Sequence, residues 1–374
     1  MVVLDVQCPI HRDSRLLEAN EEFFLRQSLA VSKVTRKVRP VAFAGSLWEV
    51  PVVPLVSVIE LTDDCDLSCS TCIAGSYSGA GNFRTKEELQ RMIRIAARTA
   101  GTDSTIMLSG GEPTMHPDLE WTVDICYEVG FTHVALVTNG LRLVRDPDFA
   151  FELFRRFPNL EIFLQFDSLD PDILRSFRGH DLSDLRRQCL RLLEEREAPT
   201  TLVCIVAHGR SLDLLSETIE LAFDSPIVRG VNLQPLRQSG RGGAVNDSPT
   251  QSAIVQRLAD TLSFASTSHF IPHPASPWMS TVGMWAKPTG LPITAEVYET
   301  GEHPEHFYPD VRQLSQGYLR VTIVNYLDVQ NLRSETTRFD CIGVVTREGM
   351  TMPLDLHYMF GDAAAGTPVE LGNR

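Results

Sequence analysis

Cys65, Cys69 and Cys72 share one short segment, Cys65-Asp-Leu-Ser-Cys-Ser-Thr-Cys72, with CxxxCxxC spacing. Thiolates are the usual protein ligands of iron–sulfur clusters, and a cube normally takes four of them. Three on one tight loop hold three irons of a [4Fe–4S] cube and leave the fourth iron open. A zinc site is the alternative, but a structural zinc closes its tetrahedron with four ligands. No fourth Cys or His follows Cys72 within forty residues. Three unconnected core cysteines are the remaining reading.

Further polar groups stand at the ends of apolar runs. Ser109-Gly110-Gly111-Glu112-Pro113 follows Thr105–Leu108, and Thr138-Asn139-Gly140 ends the run from His133. Gln165-Phe166-Asp167 ends the run from Glu161, and Asn232 and Gln234 fall in the last run, Gly230–Pro235. Gly110 and Gly111 permit a close backbone approach, and Pro113 fixes a turn. Thr138 and Asn139 read either as ligand contacts or as a capped turn. Gln165 and Asp167 share a strand face by period two, as do Asn232 and Gln234. A buried Asp167 needs a partner, and Arg178 and Arg237 are the protein's own candidates.

This ordered set resembles the radical S-adenosylmethionine (SAM) superfamily over about residues 51–245. The resemblance implies a [4Fe–4S] cluster on Cys65, Cys69 and Cys72, with SAM chelated at the open iron. It implies reductive cleavage of SAM to a 5′-deoxyadenosyl radical that takes hydrogen from an unactivated C–H bond. Gly110, Gly111, Glu112 and Pro113 would then meet the methionine ammonium, and Thr138, Asn139, Gln165, Asp167, Asn232 and Gln234 would contact SAM or substrate. Asp167 would meet the ribose hydroxyls. The residue before the last cysteine, often aromatic in the superfamily, is Thr71, so adenine must stack elsewhere, with Tyr77 a candidate.

Leu164-Gln-Phe-Asp167, Phe177-Arg-Gly179, Val228–Pro235 and Ser239-Gly-Arg241 resemble the branch of tetraether-lipid synthases and pterin-methylating enzymes. That branch implies carbon–carbon bond formation or alkylation on a small-molecule or lipid-like substrate. Its auxiliary-cluster cysteines are missing here, so one cluster is expected, and Cys8 and Cys341 read first as structural. An epimerase, dehydrogenase or dehydratase outcome, with Cys341 returning a hydrogen atom, is the alternative. An iron–sulfur electron-transfer or redox-sensing protein is a more distant one. A ferredoxin or flavodoxin is the expected electron donor, with Lys33–Arg39 a candidate basic docking patch.

A formal charge of −14 opposes nucleic-acid binding, which requires basic surface. No apolar run reaches the length that spans a membrane, the N-terminus lacks a signal-peptide pattern, and a cytoplasmic location is expected.

The chemistry needs strands to position it. Six apolar runs alternate with five amphipathic helical patterns between residues 51 and 245, the pattern of parallel strands and crossover helices. The resulting expectation is an α/β fold with parallel strands, and the superfamily resemblance implies a partial (β/α)6 TIM-like barrel. Residues 1–50 form an N-terminal extension and 246–374 a C-terminal, substrate-shaping cap. Within the extension, Glu18–Val31 reads as helix and Ala42–Leu55 as strand-like. Arg338–Met359 reads as two short strands about the turn Arg347–Gly349, and Gln238–Ala244 as a hinge or loop. His273 reads as a substrate contact.

Overall fold

A computed structural model describes residues 2–7, 12–34, 54–241, 248–273, 276–287, 289–293, 317–328 and 340–364. Cys8, most of Ala42–Leu55 and the end of the Gly-rich stretch lie outside the described residues, as do the side chains of Lys33–Arg39. The first elements are β1 (Val2–Gln7), β2 (Arg12–Glu18) and α1 (Glu21–Val34). The alternating part comprises β3 (Val56–Thr62), α2 (Lys86–Ala100), β4 (Thr105–Gly110), α3 (Leu119–Val129), β5 (His133–Thr138) and α4 (Leu141–Arg145). It continues through α5 (Pro147–Arg156), β6 (Glu161–Gln165), α6 (Pro171–Arg178), α7 (Ser183–Glu195), β7 (Thr200–Val206), α8 (Leu215–Asp224) and β8 (Val228–Pro235). Then come α9 (Gln251–Thr261), β9 (Ile271–Pro272), β10 (Ser280–Ala286), β11 (Tyr318–Val324), β12 (Ile342–Val345), β13 (Thr351–Pro353) and α10 (Leu354–Ala364).

Strands β3 to β8 are mutually parallel and adjacent in chain order, as the alternation predicts. The C-terminal region lengthens this wall at both ends. β11 pairs parallel with β8, and β12 pairs parallel with β3. β12 and β13 are the two short strands expected about Arg347–Gly349, and they pair antiparallel. The terminal members of the parallel run, β11 and β12, are not neighbours in the sheet, so the barrel is open.

Period two sorts the side chains of β3. Ile59 and Leu61 face outward into the main core with Leu89, Met92 and Ile93 of α2. Helix α2 is set by a capping box, in which Thr85 and Glu88 satisfy each other's backbone N–H groups. Val56 and Val58 face the other way, where Val58 packs with Val344 of β12 and Leu354 of α10. Met107, Tyr326 and Tyr358 join that cluster. Helix α10 therefore lies on the inner face of β3 and β12 and occupies part of the lumen. The N-terminal elements dock at the far side. Glu18 accepts from the amide and hydroxyl of Ser252, and Arg26 donates to the Phe270 carbonyl at 3.1 Å.

A polar contact crosses the open seam, and others lie at its edges. The Leu327 amide donates to Asp355 Oδ2 at 2.9 Å, joining the exit of β11 to α10. Arg237 Nε donates to the Tyr326 carbonyl at 2.7 Å. Asp340, just before β12, accepts from the Ile342 amide at 2.9 Å. Burial pushes the Asp340 carboxyl from the ordinary 3.8 up to about 7, and burial beside Asp340 likewise raises Asp355. The folded chain thus binds the Asp340 proton more tightly than the unfolded chain. This contribution to stability is full below about pH 4 and is lost as the pH rises through about 7. Denaturant titrations should show unfolding free energy falling across that window, and Asp340→Asn should flatten the fall.

Candidate functional site

The loop carrying the three cysteines leaves the C-terminal end of β3 and is braced from within. Asp64 Oδ1 accepts from the amides of Cys65 at 2.9 Å and Gly79 at 2.8 Å, closing the segment on itself. The Cys65 amide also reaches the Tyr77 carbonyl, and the Cys72 amide the Cys69 carbonyl. Arg84 holds Asp63 at 2.8 Å. All three cysteines are free thiols; Cys69 is buried and the other two half-buried. Burial pushes the Cys65 thiol up to about 12, with Glu112 and Asp66 adding to the effect. Among the described residues no three His, Cys, Asp or Glu side chains are arranged about a single ion. Three thiols without a fourth partner fit a multi-iron cluster with one open corner better than a closed zinc site.

Gly110 and Gly111 pass directly beneath this loop. A Cβ on Gly110 would lie 2.3 Å from the Thr62 carbonyl oxygen, and one on Gly111 would lie 2.0 Å from that of Asp64. The Gly111 amide donates to Thr62 at 2.7 Å and the Glu112 amide to Asp64 at 2.8 Å. The glycines thus admit the cysteine loop's backbone, an approach no side chain would permit. Pro113 opens a 3₁₀ turn, Pro113–Met115.

Glu112 is 1% exposed and its carboxylate is enclosed by protein donors. Oε1 accepts from Thr114 Oγ1 at 2.6 Å and Thr138 Oγ1 at 2.7 Å, and Oε2 from the Asn139 amide at 2.7 Å. Burial nevertheless raises its pKa. Asn139 in turn donates Nδ2 to Asp66 Oδ1 at 2.7 Å, while its Oδ1 accepts from the Leu141 amide. Thr138 and Asn139 thus order the turn into α4, and Asn139 also holds the cysteine loop.

Asp167 lies just past β6 with φ 61°, an unusual left-handed conformation for a non-glycine. Arg178 Nε and Nη2 grip its two oxygens at 2.6 and 2.8 Å, and the Ile205 amide donates at 3.1 Å. Both partners are buried, at 1% and 6% exposure. Of the partners the sequence offers Asp167, the structure shows Arg178, as an ion pair. Gln165 Nε2 lies beside it at 3.4 Å. Ser70, next to Cys69, donates Oγ to the Ser176 carbonyl of α6 at 2.8 Å, so the helix that carries Arg178 abuts the cysteine loop.

On β8, Asn232 and Gln234 face the lumen together. Asn232 Oδ1 is buried without a hydrogen-bond partner, and Gln234 Nε2 approaches the Tyr326 hydroxyl at 3.4 Å. An orphaned acceptor of this kind suits a ligand donor. Thr71 Oγ1, inside the cysteine loop, is likewise buried and unpartnered. Tyr77 is 54% exposed.

Cys341 is not brought to this site. Its carbonyl accepts from Leu55 and Val56 at the N-terminal end of β3, about 20 Å of strand from the cysteine loop. Burial pushes its thiol up to about 12. This placement argues against the hydrogen-donor expectation. His273 is 3% exposed, and burial near Arg320 lowers its pKa to about 3, so it is a neutral interior group.

Sequence reasoning missed a second lumen group. Tyr358 donates to Glu60 Oε1 at 2.9 Å, and His357 Nε2 meets Oε2 at 3.1 Å. Glu60 occupies an inward position of β3, and that parity was the available signal; its partners arrive from α10, distant in sequence.

A family model described as the radical SAM superfamily matches residues 59–222. The chain is 26% identical over 190 residues to a 7,8-dihydro-6-hydroxymethylpterin dimethyltransferase of Methanocaldococcus jannaschii, covering 50% of this chain but 37% of that protein. It is 23% identical over 308 residues to a GTP 3′,8-cyclase of Alkaliphilus metalliredigens, covering 81% and 91%. The fold is similar to that of Streptococcus suis SuiB bound to precursor peptide SuiA, with TM-score 0.53 and 12% identity over 92% of this chain and 74% of that one.

The ion pair behind Cys69 gives a stability prediction. Asp167→Ala leaves the Arg178 guanidinium buried and unpaired, which should cost about 3–5 kcal/mol in urea unfolding. Arg178→Met combined with Asp167→Ala should cost clearly less than the two single losses added together.

Proposed function

From the premise that residues 59–222 are a radical SAM domain, we propose that Cys65, Cys69 and Cys72 hold the [4Fe–4S] cluster that this superfamily uses with SAM. We further propose that the enzyme acts on an unactivated C–H bond of a small-molecule or lipid-like substrate, with carbon–carbon bond formation or alkylation as the outcome. The observation that carries this reading is the braced loop of three free thiols packed on the Gly110-Gly111-Glu112 turn. When bound, the cluster and SAM supply one-electron cleavage of the sulfonium and a hydrogen-abstracting 5′-deoxyadenosyl radical.

The chain's own residues do the positioning. Glu112 fixes the turn beneath the loop, and Asn139 holds Asp66 from the side. Asn232 offers an unpartnered carbonyl oxygen to a ligand, with Gln165 and Gln234 as further lumen contacts. Helix α10 and the seam exclude water from the inner face of β3, which strengthens polar contacts there. The division into residues 1–50, 51–245 and 246–374 belongs to this proposal, with the last region supplying both wall and lumen plug. A ferredoxin or flavodoxin would supply the electron in the cytoplasm. Among the described residues no helix is long and apolar enough to cross a membrane.

Anaerobic reconstitution with iron and sulfide should give about four irons per chain. Adding SAM and dithionite should release 5′-deoxyadenosine, and Cys65→Ala, Cys69→Ala or Cys72→Ala should abolish it. Four irons without deoxyadenosine would favour the electron-transfer alternative. Cys341→Ala should leave deoxyadenosine formation unchanged.

A further inference from the structure

The Gly-rich stretch after β8, expected as a hinge, is in its described part a clamp. Gly240 adopts φ 55°. A Cβ there would lie 2.3 Å from the carbonyl oxygens of both Cys72 and Ile73. Glycine alone tolerates both the conformation and the approach.

Arg241 then engages the cysteine loop along its length. Its amide donates to the Cys72 carbonyl at 2.9 Å. Its guanidinium Nε donates to the Cys69 carbonyl at 2.8 Å, Nη1 to the Gly75 carbonyl at 2.6 Å, and Nη2 to the Ser76 carbonyl. One residue thus satisfies four carbonyls, two of which belong to candidate cluster cysteines. Such carbonyls converge only if the loop holds one curvature. Other braces of the loop come from the ends of β4 and β5, from α6 through Ser70, and from its own Asp64; Arg241 ties it to the end of β8.

We propose that Arg241 is the positioning residue of the cluster, fixing the spacing of Cys69 and Cys72 for their irons. This rests on the assignment of Cys65, Cys69 and Cys72 as ligands. The guanidinium is suited to the task because its donors point in fixed, divergent directions within one plane. A lysine would bring the same charge as a single point and could not span Cys69, Gly75 and Ser76 together. The positive charge also lies next to the cluster's backbone, where it favours the reduced, more negative form.

The test compares wild type with Arg241→Lys, Arg241→Met and Gly240→Ala. Amide exchange across residues 69–76 is measured on the iron-free proteins, and iron content and cluster midpoint potential after reconstitution. The inference expects exchange in 69–76 to rise about tenfold in all three variants, with β4 to β8 unchanged. Iron should fall to about half or less, and the cluster remaining in Arg241→Met should have a lowered potential. Arg241→Lys matching wild type in exchange and iron would overturn the fork argument, and so would unchanged exchange in Arg241→Met. Because exchange is read without iron, the clamp is tested even if wild type fails to bind a cluster. That failure would sink the ligand assignment separately.

Discussion

The Glu112 carboxylate is the contact on which the rest of the site depends. Its backbone amide, with that of Gly111, pins the end of β4 to the start of the cysteine loop. Its side chain reaches across to Thr138 and the Asn139 amide at the end of β5. Asn139 then returns to Asp66, between two of the cysteines. Three strand ends are thereby joined through Glu112 and Asn139. A typical hydrogen bond contributes about 0.5–1.5 kcal/mol net, and leaving such donors unpaired in the interior costs about 1–3 kcal/mol. The burial that raises the Glu112 pKa is tolerated because every donor around it is already aimed inward.

The same logic recurs on the opposite wall. Asp167 occupies a conformation that non-glycine residues seldom adopt, at a cost of about 1–3 kcal/mol. The bidentate Arg178 and the Ile205 amide offset that cost. The result is a rigid, buried charged pair beside the cysteine loop. Among the described residues, Asn232 Oδ1 is a lumen-facing acceptor left without a partner. On the β3 side, Glu60 with Tyr358 and His357 gives the lumen a second polar face.

Much of this was legible in the amino-acid order. The alternation of apolar runs and helical patterns specified β3 to β8, because parallel strands covered by helices are apolar throughout. The cysteine spacing and the Gly110-Gly111-Glu112 turn were legible because chemistry and close approach restrict residue type. The partner of Asp167 was named only as one of two arginines, since the choice depends on α6, a helix of eight residues too short to register by periodicity. Helix α4 escaped for the same reason. β11 was harder still, and so was the pairing of β12 with β3, because each finds its partner far away in sequence. Cys341 read as a candidate because chain position does not reveal which end of a strand a residue occupies. The lumen plug by α10 followed from no local pattern.

The central claim is that three cysteines leave one iron free for SAM. Electron paramagnetic resonance of the dithionite-reduced protein, recorded with and without SAM, tests it most directly. The account predicts a reduced [4Fe–4S] signal whose g-values shift when SAM is added, and no such signal from Cys69→Ala. A reduced-cluster spectrum identical with and without saturating SAM would contradict it, since a closed cluster has no site for SAM to occupy.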